Sequence, residues 1–172
     1  HGETLDNLNT GNTSGMRACD LYSSSPFIMG TVDSFLPEGQ LRGNRLLAHC
    51  YNQLKSQISE LISGYGAERI GIVLGSSNSG VQETYQDIQA LLQNNKSRFD
   101  LRTLEIGSPS SFLANITSVS GPAYTISTAC SSSAKAFKSA ANLIQTGHCD
   151  AVIVGGTDAL CSFAVNGFNA LE

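Results

Sequence analysis

Two short apolar runs constrain the fold more than any other feature of the sequence. One is RIGIVLG, which ends at Gly75, and the other is CDAVIVGG, which ends at Gly156. Neither run alternates between apolar and polar residues, so each predicts a β-strand that is covered on both faces. A third run, AYTIST, follows a Gly-Pro break and is typical of another strand. Helical patterns separate the strands, and the sequence therefore predicts a layered α/β domain.

The helices are predicted from apolar residues that recur at every third or fourth position. A long helix is expected from Asn44 to Ile62, with His49 as a packed or surface residue and two glycines as stop signals. A short helix is expected to begin near Pro109. The first 41 residues are rich in turn formers and predict few regular elements.

Two further helices have an apolar stripe that we expect to face the core. The first is expected to end at the pair Asn94 and Asn95, and the second at Gly147. The stripe of the first comprises Val81, Tyr85, Ile88 and Leu92, and that of the second comprises Ala134, Phe137, Ala141 and Ile144.

Charge and composition exclude several classes of function. The net charge of −4 gives no electrostatic reason to expect binding to nucleic acid or to an anionic membrane. No apolar run approaches the roughly 20 residues of a membrane-spanning helix, and no signal peptide is recognised. The five cysteines show no metal-site spacing and are interpreted as thiols in a reducing compartment. We expect a cytoplasmic protein without a metal or a cofactor.

Cys130 lies where a predicted strand ends and a predicted helix begins. The free N–H groups and the positive end of the dipole at a helix N-terminus stabilise a thiolate. The same N–H groups can receive an oxyanion, so such a turn suits a cysteine nucleophile. The small residues on either side, Ala129 and Ser131 to Ser133, leave room for a substrate carbonyl. The alternative is a buried cysteine that fills a tight junction.

The loop GSSNSG, from Gly75 to Gly80, has the glycine spacing of a phosphate-binding loop but lacks the Lys and the Ser or Thr that should follow. We therefore interpret it as a tight turn between a strand and a helix. Asp150 and Asp158 are expected to make turn and cap hydrogen bonds. His148 is expected to cap the last carbonyls of the preceding helix. Gly155 and Gly156 are expected to allow close backbone approach.

The segment GPAYTISTACSSSAKAFKSAANLIQTGHCDAVIVGGTDAL resembles the nucleophile segment of elongating β-ketoacyl-acyl carrier protein synthases and of polyketide ketosynthase domains. The similarity extends with falling specificity to most of the chain. It implies a thiolase-like layered α/β fold, of which residues 1–172 would be the N-terminal half, apparently truncated at both ends. The family usually forms homodimers, or pairs of condensing-enzyme subunits.

The resemblance also implies a mechanism. Cys130 would accept an acyl group from an acyl carrier protein, with its own N–H as half of the oxyanion hole. Malonyl-acyl carrier protein would then lose carbon dioxide and condense with the Cys130 thioester. Phe168 matches a phenylalanine that lines the acyl pocket, although it could simply belong to the core. The histidine pair that assists decarboxylation belongs to the family's C-terminal half, and its motifs do not occur in this sequence.

Two other functions are compatible with this segment. The chain could be a non-catalytic partner subunit like the chain-length factors, although these usually lack the nucleophile. It could also be a thiolase-like acyltransferase that uses coenzyme A. In each case, an N-terminal half would expose sheet edges and an apolar face, so we expect an extensive dimer contact or a missing remainder.

Overall fold

A computed structural model of the 172-residue chain describes residues 2–32, 41–93 and 100–171. The chain divides into two compact units, one formed by residues 1–35 and 160–172 and the other by residues 36–159. No helix of the described residues is long and apolar enough to cross a membrane.

The smaller unit contains two short helices and a two-stranded sheet. Helix α1 spans Gly2–Asn9, and strands β1 (Met16–Cys19) and β2 (Phe27–Gly30) pair in antiparallel orientation. The last helix of the chain, Ser162–Asn169, also lies here. The N-terminal segment is more regular than the sequence patterns indicated, because strands of four residues are too short to show a clear period.

The larger unit is a parallel sheet with helices on both faces. Its strands lie in the order β4-β3-β5, with β3 hydrogen-bonded to both neighbours. This arrangement confirms the predicted layered α/β class and all three predicted strands. Its elements are α2 (Arg42–Tyr65), β3 (Ile70–Gly75), α3 (Val81–Leu92), α4 (Ser108–Thr117), β4 (Ala123–Ile126), α5 (Ser132–Gln145) and β5 (Ala151–Gly156). We number the last helix of the chain α6.

Strand β3 is buried along its whole length because its two faces support different helices. Ile70, Ile72 and Leu74 pack with Leu47 of α2 and Leu113 of α4. On the other face, Val73 packs with the two small residues Ala136 and Ala140 of α5. The absence of alternation in RIGIVLG is thus explained by a strand with apolar contacts on both sides.

The predicted inward stripe of α5 was wrong. Phe137 is 59% exposed and Ile144 is 46% exposed, while Ala136 and Ala140 face the sheet. The helix has two apolar faces, and the small one is buried because it allows the helix to approach the strands closely. Phe137 and Ile144 therefore point away from the sheet, whereas Leu143 packs beside the two alanines. We call the exposed residues Ala134, Phe137, Ala141 and Ile144 the outer face of α5.

The predicted inward stripe of α3 was also wrong for three of its residues. Tyr85, Ile88 and Leu92 are exposed, and the buried residue of this helix is Thr84. The α3 helix ends at Leu92, and the expected terminators Asn94 and Asn95 lie outside the described residues.

Helix α5 ends as predicted, and His148 caps one of its last carbonyls as expected. Gly147 adopts a φ of +73°, and its N–H donates to the carbonyl of Ile144 at 3.0 Å. The backbone N–H of His148 donates to the carbonyl of Leu143 at 3.0 Å, whereas its Nδ1 pairs with Thr146 Oγ1 at 2.8 Å. The main chain of His148, and not its imidazole, therefore caps the helix.

Arg69 joins three elements at the N-terminal edge of the sheet. Its Nε and Nη2 donate to the two carboxylate oxygens of Asp150 at 2.8 and 3.0 Å. Nη2 also donates to the carbonyl of Gly147 at 3.0 Å. The hydrogen-bonded guanidinium lowers the pKa of Asp150. Arg69 thus links the start of β3, the start of β5 and the end of α5.

We predict that Arg69→Gln lowers the melting temperature most at neutral pH. Because the pKa of Asp150 is depressed in the folded state, the stabilisation is complete above the ordinary Asp pKa of about 3.9. It is lost as the pH falls through the depressed folded value. Thermal unfolding of both proteins between pH 3 and 7 should show their difference shrinking with acid.

Arg102→Gln is the matched control for this change. Arg102 pairs with Asp100 at 2.7 Å, but the partners are two residues apart and can also meet in the unfolded chain. A larger loss of melting temperature in the Arg102 variant than in the Arg69 variant would contradict the account.

Candidate active site

Cys130 is exposed in the turn between β4, which ends at Ile126, and α5, which begins at Ser132. This is the strand-to-helix position that the sequence predicts. Ala129, immediately before it, has a φ of +52°, in the left-handed region that non-glycine residues rarely adopt. Backbone strain of this kind is concentrated at functional sites, where the surrounding structure maintains it.

Ser132 braces this turn from inside the protein. Its buried Oγ accepts a hydrogen bond from the N–H of Thr128 at 2.9 Å and donates to the carbonyl of Ala129 at 2.6 Å. Ser131 Oγ donates to the carbonyl of Thr128 at 2.8 Å. The hydroxyls of these two serines thus hold the unusual conformation of Ala129. We call residues 127–133 the cysteine turn.

Two glycines support the cysteine turn from below. Gly75 and Gly156 are paired residues at the ends of β3 and β5. A Cβ on Gly75 would lie 2.6 Å from the backbone nitrogen of Ser133, and a Cβ on Gly156 would clash with Ser133 Oγ. A Cβ on Gly156 would also lie 2.9 Å from the carbonyl oxygen of Gly75. The first turn of α5 can therefore rest directly on the backbone of two strands.

The expected close approach is confirmed at Gly156 but not at Gly155, whose added Cβ would meet nothing within 4 Å. The contribution of Gly75 is not evident in the sequence analysis. The sequence feature that could have indicated it is that both apolar runs end in glycine. When two such strands are parallel neighbours, their terminal glycines lie side by side and leave space above one edge of the sheet.

The exposed thiol of Cys130 differs from the buried cysteines of this chain. Cys19, Cys149 and Cys161 are buried, and Cys50 is exposed on α2. Burial raises the pKa of the Cys149 thiol, so this group stays protonated at neutral pH. Cys130 combines access to solvent with a position just before a helix, where its backbone N–H can receive an oxyanion.

Asp158 makes the kind of turn contacts that the sequence predicts. Its carboxylate accepts hydrogen bonds from Ser76 Oγ, from the N–H and Oγ of Ser77, and from the N–H of Asn78. The glycine-spaced loop GSSNSG thus wraps around a carboxylate of the same chain.

The histidines considered in the sequence lie on elements other than the cysteine turn. His49 and His148 are both exposed, on α2 and just after α5 respectively. The described residues contain no group of three His, Cys, Asp or Glu side chains that could hold a metal ion. Phe168 lies on α6 in the smaller unit and is 68% exposed, so it is not a core residue of that unit.

A family model described as "Beta-ketoacyl synthase, N-terminal domain" matches residues 46–172. The chain belongs to the β-ketoacyl synthase family. The match covers the parallel sheet, the cysteine turn and α6. It confirms the family resemblance and the expected thiolase-like layered fold.

Relatives of known function agree with this assignment. The chain is 27% identical to 3-oxoacyl-[acyl-carrier-protein] synthase I, chloroplastic, from Hordeum vulgare, over 91% of this chain and 38% of that protein. It is 28% identical to the chloroplastic synthase II of Arabidopsis thaliana, over 90% of this chain and 32% of that protein. These relatives are condensing enzymes.

A solved structure gives a closer match. It is a chain of the complex between a ketosynthase (ApeO) and its chain length factor (ApeC) from Xenorhabdus doucetiae. The TM-score is 0.87 and the identity 38%, over 99% of this chain and 46% of that one. This β-ketoacyl synthase segment thus spans less than half the length of these relatives.

We predict that Gly75→Ala destabilises the protein by about 1–3 kcal/mol, the usual cost of an added methyl group in a close-packed site. The new methyl group would displace the backbone at Ser133, so α5 must shift. Urea unfolding measures the loss. Gly155→Ala is the control, because its methyl group meets open space, and equal losses in both variants would contradict the proposed support.

Proposed function

We propose that this chain carries the nucleophile of a β-ketoacyl-acyl carrier protein synthase. Cys130 is the observation that carries the proposal, because it is an exposed thiol in a strained turn at a helix N-terminus of a β-ketoacyl synthase segment. The substrates are acyl and malonyl thioesters of an acyl carrier protein. The products belong to fatty acid or polyketide-type synthesis.

The first step transfers an acyl group to the protein. The Cys130 thiolate attacks the carbonyl carbon of the acyl thioester and forms a tetrahedral oxyanion. The backbone N–H of Cys130 stabilises this charge as one donor of the oxyanion hole. The intermediate collapses when the bond to the carrier sulfur breaks, and the carrier leaves as a thiol after taking up a proton.

The second step forms a carbon-carbon bond. Malonyl-acyl carrier protein loses carbon dioxide, and the electron pair of the broken bond becomes an enolate. The enolate carbon attacks the Cys130 thioester, and the Cys130 thiolate leaves. His49 and His148 lie outside the cysteine turn, so we assign the decarboxylation to histidines of a segment that the relatives possess beyond the matched region.

Two exposed features support pairing with another condensing-enzyme subunit. Within the described residues, β4 has a neighbouring strand only at β3. The outer face of α5 presents Phe137 and Ile144 to solvent. Both features are typical of surfaces that a further segment or a second subunit covers.

A partner-subunit role is the second candidate, because the matched solved complex contains a chain length factor. The exposed Cys130 favours the catalytic role, since a subunit without acyl transfer has no need of an accessible nucleophile. Acyl transfer from coenzyme A is the third. Acylation assays with matched donors distinguish these functions.

We predict that incubation of the complete protein with an acyl-acyl carrier protein adds the mass of one acyl group. The acyl group should remain after removal of the carrier because a thioester bond holds it to Cys130. Intact-protein mass spectrometry measures this gain, and peptide mapping locates it.

Cys130→Ala should abolish the gain, whereas Cys50→Ser should keep it, because Cys50 is the other exposed cysteine. The same acyl group presented on coenzyme A should react more slowly. A gain that survives in Cys130→Ala would exclude Cys130 as the acyl acceptor. No gain in the unmodified protein would favour the partner-subunit role.

A further inference from the structure

Asp158 is attached to the loop after β3 by four donor groups. Ser76 Oγ and the Ser77 N–H donate to Oδ1, each at 2.9 Å. The Asn78 N–H donates to Oδ1 at 3.1 Å, and Ser77 Oγ donates to Oδ2 at 2.5 Å. Convergent N–H and O–H donors of this kind form an anion-binding concavity. Here the anion is the carboxylate that follows β5, so it ties the C-terminal ends of β3 and β5 together.

The same loop is bonded to the strand that leads to Cys130. The N–H of Ser76 donates to the carbonyl of Ile126, the last residue of β4, at 3.2 Å. On the other side, the N–H of Thr157 donates to the carbonyl of Gly75 at 3.0 Å. Ser76 is buried, and its Oγ also accepts from the N–H of Ser79 at 3.1 Å. The ends of all three strands therefore meet at the residues that Asp158 holds.

The contacts continue upward into the cysteine turn. Gly75 and Gly156 lie directly beneath Ser133, with no space for a side chain. A displacement of the loop at Ser76 would move Gly75, on which the first turn of α5 rests. It would also move Ile126, which lies four residues before Cys130.

We propose that Asp158 is a positioning residue for the nucleophile. Its carboxylate fixes the spacing of the ends of β3 and β5, and this spacing fixes the height and orientation of the cysteine turn. The effect on catalysis rests on the proposed acyl transfer to Cys130, because a small displacement of a reacting atom slows its reaction strongly.

Asp150 provides a matched comparison on the same strand. It lies just before β5, at the opposite edge of the sheet, and its carboxylate is also held by several hydrogen bonds, from Arg69. Both carboxylates join β5 to neighbouring elements, but only Asp158 joins it beneath the cysteine turn. If Asp158 merely contributed stability, substitution of either residue should have similar consequences at Cys130.

The first test is hydrogen exchange of the complete protein with Asp158→Ala or Asp150→Asn. The reporters are the amides of Thr128, Ser131 and Ser132, all hydrogen-bonded within the cysteine turn. Their exchange should become about tenfold faster in Asp158→Ala, because local opening sets the rate. Asp150→Asn should accelerate Gly147 and His148 instead. Equal exchange of the cysteine turn in Asp158→Ala and the unmodified protein overturns the proposal.

The second test is the kinetics of acyl transfer from an acyl-acyl carrier protein. Asp158→Ala should lower the rate at saturating donor about tenfold and leave the half-saturating donor concentration within about twofold, since the chemistry and not the binding is disturbed. Asp150→Asn should retain the saturating rate at temperatures below its own unfolding. An unchanged saturating rate in Asp158→Ala overturns the positioning role.

Two milder variants keep the tests decisive if Asp158→Ala does not fold. Asp158→Asn retains one oxygen acceptor but loses the charge, and Ser77→Ala removes one donor. Both should show the same changes at smaller size, and their absence in both folded variants overturns the proposal. If the unmodified protein accepts no acyl group, the proposed function fails. The structural part of the proposal is still tested in that case, because hydrogen exchange measures the effect of Asp158 on the cysteine turn without any acyl transfer.

Discussion

The structure of the larger unit depends on the close approach of α5 to the ends of β3 and β5. Gly75 and Gly156 make this approach possible because a Cβ on either would overlap Ser133. The small face of α5, formed by Ala136 and Ala140, continues the close packing along Val73. Because α5 approaches the sheet so closely, the chain has little room between the end of β4 and the first turn of the helix. The five residues between β4 and α5 therefore form a tight turn, and Ala129 adopts its left-handed conformation there.

The strained backbone at Ala129 is connected with the presentation of the Cys130 thiol. A left-handed alanine is unfavourable by itself, but Ser132 satisfies the backbone groups on both sides of it. The side chain that follows is Cys130, which is presented to solvent while its neighbours are held by the fold. A flexible loop could also expose a thiol, but it would not hold the N–H of Cys130 in a fixed direction. The rigidity of the strand ends thus matters to an oxyanion as much as to the nucleophile.

The sequence predicts the secondary structure of the larger unit well, because its signals are local. The apolar run at Ile72, the proline near the start of α4 and Gly147 each identify an element from its own residues. Which face of a helix is buried is not a local property. Phe137 and Ile144 of α5 point outward because the two strand-end glycines select an inner face that begins with small residues. Likewise, Cys130 is found from its junction, whereas the support from Gly75 requires the register of two strands.

The two faces of α5 also explain why apolar residues occur on both its inner and its outer side. A helix with one buried face has charged and polar residues opposite. In α5, Lys135 and Lys138 flank an outer face that contains an exposed phenylalanine. Since burial of apolar surface contributes about 25 cal/mol per Å², an aromatic ring in water loses most of its possible contribution to stability. The matched solved chain is more than twice as long as this one, and we propose that a segment beyond the matched region covers this face. A helix packed on both sides would hold Cys130 in water-excluded surroundings, where its N–H interacts most strongly with a developing negative charge.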